Sequence, residues 1–191
     1  MNVSTLPDMD NLTPSAAQSV IAFWSDAGPA KWFGKSGEFD NAFRDLFLPL
    51  YENAAKGMLS EWEQDPYGAL ALAILLDQFP RNAFRGTERM YASEAAALDV
   101  AARAIVHGLD QKVQQDLRVF FYLPFGHSEN LADQERAVAL CATLPAPIPE
   151  HSRRHRDIVR RFGRFPHRNP ILGRPMTSEE RTFLAEGGFA G

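Results

Sequence analysis

Apolar residues recur along this chain at spacings of three and four, and strand-type alternation is nearly absent, so the pattern predicts an all-α protein. Thr13-Pro14 reads as a cap followed by a first-turn proline, opening a helix with Val20, Ile21 and Trp24 on one face. Gly28-Pro29 is expected to end it, and Lys31-Trp32-Phe33-Gly34-Lys35 to form a loop pinned by aromatics. Phe39, Phe43, Leu46, Phe47, Leu50 and Tyr51 predict a long amphipathic helix with Pro49 as a kink or break. Asp65-Pro66 caps the next one. Its Leu70, Ile74, Leu75, Leu76 and Phe79 are so apolar that this helix should be central, and Pro80 should force its exit.

Residues 93–106 form an Ala-rich helix with Gly108 as a left-handed terminator, and Asp110 caps a run through Val113, Leu117, Phe120 and Phe121 that stops at 123–126. A further amphipathic helix covers 131–144, and 145–149 is a stiff proline link. Residues 150–162 turn Ile158, Val159 and Phe162 inward and most of their Arg outward, before Gly163. Thr177 and Glu180 have capping-box spacing for a last short helix through Leu184, which Gly187-Gly188 ends. The expectation is about seven or eight helices in stacked antiparallel hairpins, because most loops are short. No strict repeat aligns. The predicted organisation is a flexible N-terminus over 1–12, a single helical domain over 13–186 and a tail over 187–191.

Composition supports a folded chain: 191 residues suit one sizeable core, and 45% apolar content with fourteen Phe excludes a mostly disordered protein. The net charge of −4 hides an asymmetry. Between His151 and Arg174 there are eight of the sixteen Arg and one acid, Asp157, so that stretch carries +7 and the remainder −11. The basic segment either pairs with the acidic remainder or presents a nucleic-acid surface, and the acidic total makes nucleic acid the poorer partner. Cys141 is alone in an apolar run, which excludes an intramolecular disulfide and makes it core filler. With no signal-like N-terminus and no apolar run of about 20 residues, the sequence predicts a cytoplasmic protein without a membrane partner.

Chemistry concentrates in two Phe-Pro-centred segments. Phe79-Pro80-Arg81-Asn82-Ala83-Phe84-Arg85-Gly86 is echoed by 164–174, where Arg164, Phe165, Pro166, His167, Arg168, Asn169, Gly173 and Arg174 stand. Proline stiffens each turn, Asn and Gly tolerate left-handed backbone, and Arg81, Arg85, Arg164, Arg168 and Arg174 can present planar forks to carboxylate or phosphate. The plainer alternative has these guanidiniums locking helix ends to acids such as Asp77 and Glu129. His127 and Glu129 on a predicted loop, and His167 among Arg residues, are candidates for proton transfer, with Asp77 as another carboxylate. The rival role for 127–130 is capping the next helix. His151 and His155 share a helix face at a spacing some zinc sites use, but the surrounding Arg residues oppose a divalent cation, so no metal is assigned. The sequence has no Gly-rich phosphate loop, dinucleotide fingerprint, nucleophile elbow or paired Cys-x-x-Cys, and names no cofactor.

The blocks 74–82 with Phe84-Arg85-Gly86, 122–125 with His127-Ser128-Glu129, and His155-Arg156-Asp157 with 161–169 and Leu172-Gly173-Arg174 resemble the bacterial family called domain of unknown function 924. The resemblance runs from about Val20 to Glu186 and includes Phe23-Trp24, Trp32-Phe33 and 69–72. It implies an all-helical, tetratricopeptide-like fold and brings no activity, substrate or catalytic residue with it. Pro170 departs from the small or apolar residue usual there, which should stiffen the second exit. The leading expectation is a binding module whose Arg81, Asn82, Arg85, His155, Arg164, Arg168, Asn169 and Arg174 hold an anionic small molecule or an acidic peptide terminus. An enzyme using His167 or His127 with Glu129 or Asp77 on a phosphate or carboxylate compound is the alternative, and a nucleic-acid surface on the Arg-rich helix ranks third. The sequence sets neither enzyme status nor oligomeric state.

Overall fold

The computed structural model describes residues 14–190, so Thr13 and the expected flexible segment 1–12 lie outside the described residues. Within them the fold is all-helical, without strands. Eight helices can be traced. They are α1 (Ser15–Trp32), α2 (Gly37–Ala55), α3 (66–83), α4 (Glu94–Val106), α5 (Val119–His127), α6 (Leu131–Cys141), α7 (Ile148–Phe162) and α8 (Ser178–Ala185). Two compact units emerge, one of residues up to Arg85 with Arg89–Pro124, the other of Gly86–Glu88 with the chain from Phe125 on.

Several local signals act as expected. Asp65 accepts from Gly68 N at 2.7 Å with Pro66 in the first turn of α3. Thr177 and Glu180 complete a reciprocal capping box on α8. Gly108 (φ 66°) and Gly163 (φ 70°) take the left-handed conformation that closes α4 and α7 at no steric cost.

The prolines behave differently. α2 runs unbroken through Pro49, and α5 runs through Pro124 to His127, so His127 is helical rather than on a loop. Asp110 caps no helix: it sits buried on a separate short turn, and α5 begins only at Val119. Pro29 likewise follows a break at Gly28 (φ 69°, ψ 173°) but starts another helical turn through Trp32, where a loop was expected. Pro14 stands before α1, at its cap.

Pro80 is the instructive case. α3 does not exit there. It passes from Pro66–Ala73 through one π turn, Ile74–Gln78, into Phe79–Ala83, with Phe79 N bonded to Ile74 O. A proline nitrogen cannot donate to the carbonyl four residues back, which is that of Leu76. The Ser93 hydroxyl donates to Leu76 O instead, at 2.6 Å in a buried setting. Ser93→Ala should therefore destabilise the protein by about 1–3 kcal/mol, the cost of an unsatisfied buried carbonyl, read as a lower urea midpoint with an unchanged m value.

The first unit's core is aromatic. Trp24 meets Phe43 and Phe120 at ring separations of 5.2 and 5.3 Å, Phe43 meets Phe79 at 5.1 Å, and Tyr51 stacks on Phe79 at 4.8 Å. Leu70, Ile74 and Leu75 are fully buried, as the central role of α3 requires. In the second unit α6 and α7 pack together. Ile158, Val159 and Phe165 form a small core there, with Phe162 and Phe183 against it. Cys141 is buried in this unit, and burial pushes its thiol up to about 11, which keeps it protonated and unreactive.

Candidate functional site: a histidine cluster on the second exit

The second exit starts where Gly163 ends α7. Phe165 is buried, Pro166–Arg168 make a single tight turn, and Arg174 N returns to Asn169 O at 2.9 Å. Glu129 holds this loop in place. One oxygen accepts from Phe165 N at 2.8 Å, and the pair of oxygens accepts a bidentate fork from Arg174 at 2.6 and 2.9 Å. Burial opposes its ionisation, but the Arg174 hydrogen bonds, the Phe165 N–H and the Arg168 and Arg174 charges outweigh that and hold the carboxyl below its usual range. Arg164 forks onto Glu180 at 2.6 and 2.9 Å. Asn169 is fully buried, its amide against Met176 Sδ.

The loop brings three imidazoles together. His155 of α7 lies 6.4 Å from His127 at the end of α5, ring centre to ring centre, and 5.5 Å from Phe165. Phe189 from the last segment covers His155 at 4.7 Å and His167 at 5.1 Å. Arg168, only 3% exposed, lays its guanidinium 4.6 Å over the Phe165 ring and donates to His127 O at 2.8 Å. Gln134 on α6 supports this side by donating to Gly126 O and Ser128 O, both at 2.7 Å.

The electrostatics of the cluster work against charge on His155, while Arg168 also faces the Glu129 carboxylate. Burial depresses the His155 pKa first, the His127, His167 and Arg168 charges push it further, and a hydrogen bond to the Gly126 backbone only partly opposes them, leaving it at about 3. The ring is neutral at pH 7. Among the described residues, no group of three or more His, Cys, Asp or Glu side chains could hold a metal ion. His151, four residues from His155, is exposed.

The first exit belongs to the first unit and is spent differently. Asp77, 1% exposed on the π turn, accepts from Gln78 at 2.5 Å and from Arg81 Nε at 3.3 Å, and Arg81 also pairs with Glu94. Asn82 and Arg85 converge on Asp40, at 2.7 Å for the amide and 3.0 Å for Arg85 Nε. The Arg-rich face of α7 has its own acids: Arg153 meets Glu150, Arg156 and Arg160 meet Asp157 and Glu135, and Arg161 meets Glu179. Asn130, rather than Ser128, caps α6, accepting from Ala132 N at 2.8 Å.

Both loops lie within the residues that a family model matches. The model described as bacterial protein of unknown function (DUF924) matches residues 20–188. The chain belongs to the DUF924 family. A solved structure of a protein of unknown function from Agrobacterium tumefaciens is 52% identical, with 90% of this chain and 97% of that one covered and a TM-score of 0.88. Comparison with the curated proteins gives no match.

In this DUF924 chain, sequence reasoning had named His127, His155, His167 and Arg168 but not Phe189 or Gly126. Phe189 stands in what reads as a tail after Gly187-Gly188. Gly187 (φ 85°) and the Gly188 N bond to Phe183 O at 2.9 Å turn the chain there. In the sequence the glycine pair reads as an ending, and in the structure it is a turn that returns Phe189 to the cluster. No helix among the described residues is long and apolar enough to cross a membrane.

Proposed function

We propose that this protein is a binding module and that the second-unit cluster of His127, His155, His167 and Arg168, roofed by Phe189, is its seat for a small anion. One observation carries the proposal: His127, His155 and His167 gather beside the buried Arg168 under one ring, with His155 6.4 Å from His127 and Phe189 4.7 and 5.1 Å from His155 and His167. A fold that gathers groups of one prospective sign disfavours their protonation, and a bound carboxylate or phosphate relieves that cost. The tetratricopeptide-like kinship implied by the resemblance suits such a role, since stacked helical pairs commonly serve as binding scaffolds. The cytoplasmic setting belongs to the same proposal.

The acid–base alternative asks Glu129 to partner an imidazole, yet both of its oxygens already serve Arg174 and Phe165 N. Asp77 is committed to Gln78 and Arg81. The nucleic-acid alternative asks for cationic helix surface, and Arg153, Arg156, Arg160 and Arg161 spend theirs on nearby carboxylates. The binding proposal draws on neither set.

Isothermal titration with orthophosphate and succinate tests it. Binding should be tighter at pH 5.5 than at pH 7.5 and accompanied by proton uptake, because an anion raises the imidazole pKa values. The His155→Phe variant, which removes the central ring of the cluster, should weaken binding. Absence of binding to either anion, or binding that neither strengthens with acid nor takes up protons, would sink the proposal.

A further inference from the structure

The first unit contains a cleft of about 330 Å³, lined by residues of the turn Ser60–Gln64, α3, α4 and the turn Leu109–Lys112 together with the His107 cap. Ala69 of α3, Val100 and Ala104 of α4, and Leu109 of the turn after Gly108 are all buried and make an apolar floor. The rim is polar: Glu63 and Gln64 from the turn Ser60–Gln64, Arg103 at the last turn of α4, His107 at its cap, and Lys112. We propose that this cleft is a second ligand site, selective for a small monocarboxylate with a short aliphatic body.

The walls are built to hold their spacing. Gly68 on α3 faces the backbone of the Ser60–Gln64 turn so closely that a Cβ there would stand 2.4 Å from Trp62 O, so only glycine lets the turn lie against the helix. Asp65 then caps α3 through Gly68 N. From the other side, Arg103 forks onto Glu63 at 2.6 and 2.9 Å and ties α4 to the same turn. That hydrogen bonding, together with the Glu63 and Asp99 charges, raises the Arg103 pKa above its ordinary value.

Charge sets the ligand class. Among the lining residues Glu63 is paired with Arg103, which leaves Lys112 as the excess cation, with His107 and the Gln64 amide as further polar groups. One excess positive charge matches a monoanion. The floor of two alanine methyls, a valine and a leucine asks for a small branched hydrocarbon rather than for a bare inorganic ion. The volume lies at the small end of ligand sites, which range over about 300–1,000 Å³.

Amide and methyl NMR on the full chain, titrated with isovalerate, isovaleramide and orthophosphate, decides the matter. Isovalerate should give saturable shifts at Ala69, Val100, Ala104 and Leu109, while its neutral amide and phosphate should give little there. Lys112→Glu reverses an exposed charge without touching the floor. It should weaken isovalerate by at least about ten-fold while leaving the urea midpoint in place, and His107→Ala should weaken it less. Equal shifts from isovaleramide or phosphate, no saturable shift with isovalerate, or full affinity in Lys112→Glu would each overturn the proposal. Because these reporters all lie in the first unit, failure here is distinct from failure of the histidine cluster.

Discussion

Arg81→Met should lower the stability of the protein by about 3–5 kcal/mol, the range for removing one partner of a buried ion pair. The loss would follow from what stays behind. Asp77 is 1% exposed on the π turn of α3, and its carboxylate is held by Gln78 Nε2 at 2.5 Å and Arg81 Nε at 3.3 Å. Burial disfavours the Arg81 charge, yet Asp77 and Glu94 more than compensate, and its pKa lies above the ordinary value. Without the guanidinium, Asp77 must either stay charged in a dry setting or take up a proton. Gln78 and the π turn cannot move away, because Phe79 between them and Pro80 packs on Phe43 and Tyr51. The Arg81→Met, Asp77→Asn double variant should recover much of the loss, since no uncompensated charge remains beside Gln78. A double-mutant cycle by urea denaturation measures both terms. A single-variant loss below about 1 kcal/mol would show that the pair behaves as a surface one.

This cluster also marks where sequence reading reached its limit. The capping signals were legible because they are local: Asp65, Thr177 with Glu180, Gly108 and Gly163 act within three or four residues of themselves. Pro80 was misjudged because its cost depends on a donor from elsewhere. The chain continues as helix past it, and Ser93, seventeen residues away, donates to Leu76 O. The two Phe-Pro segments are visible in the sequence as Arg-rich turns, and the plainer reading of them names two of their acids, Asp77, which meets Arg81, and Glu129, which meets Arg174, but not Asp40 or Glu180. Arg85 and Asn82 reach Asp40, Arg164 reaches Glu180 and Arg174 reaches Glu129, across 16 to 45 residues of sequence. No periodicity announces such pairings. The histidine cluster was legible as residues rather than as an arrangement, and Phe189 was hidden by the glycines before it.

Glu180→Ala should produce a comparably large effect, with a distinctive dependence on pH. Glu180 is 2% exposed and accepts a two-point fork from Arg164 together with Thr177 N at 2.7 Å, so it serves ion pair and helix cap at once. Losing both should cost about 2–4 kcal/mol at neutral pH, the sum expected of a cap and a charge-assisted hydrogen bond. The Arg164 hydrogen bonds, with help from the Thr177 N–H, outweigh burial and lower the Glu180 pKa to about 2. A carboxyl depressed on folding stabilises the native state fully above its unfolded pKa, and that contribution disappears as pH falls through the folded value. For Glu180 the window runs from about 4.5 down to about 2. His155 acts in a different window. Its folded pKa is about 3 against an ordinary 6.5, so the unfolded chain takes up a proton first and stability begins to fall below pH 6.5. Wild-type stability should thus decline in two stages on acidification. His155→Phe should flatten the stage that begins near pH 6.5, and Glu180→Gln the added slope below 4.5. Urea midpoints measured every half unit from pH 7.5 to 3 separate the two. If His155→Phe left the slope above pH 5 unchanged, the imidazole would not be held neutral by burial and its charged neighbours, and the electrostatic basis of the anion seat would fall with it.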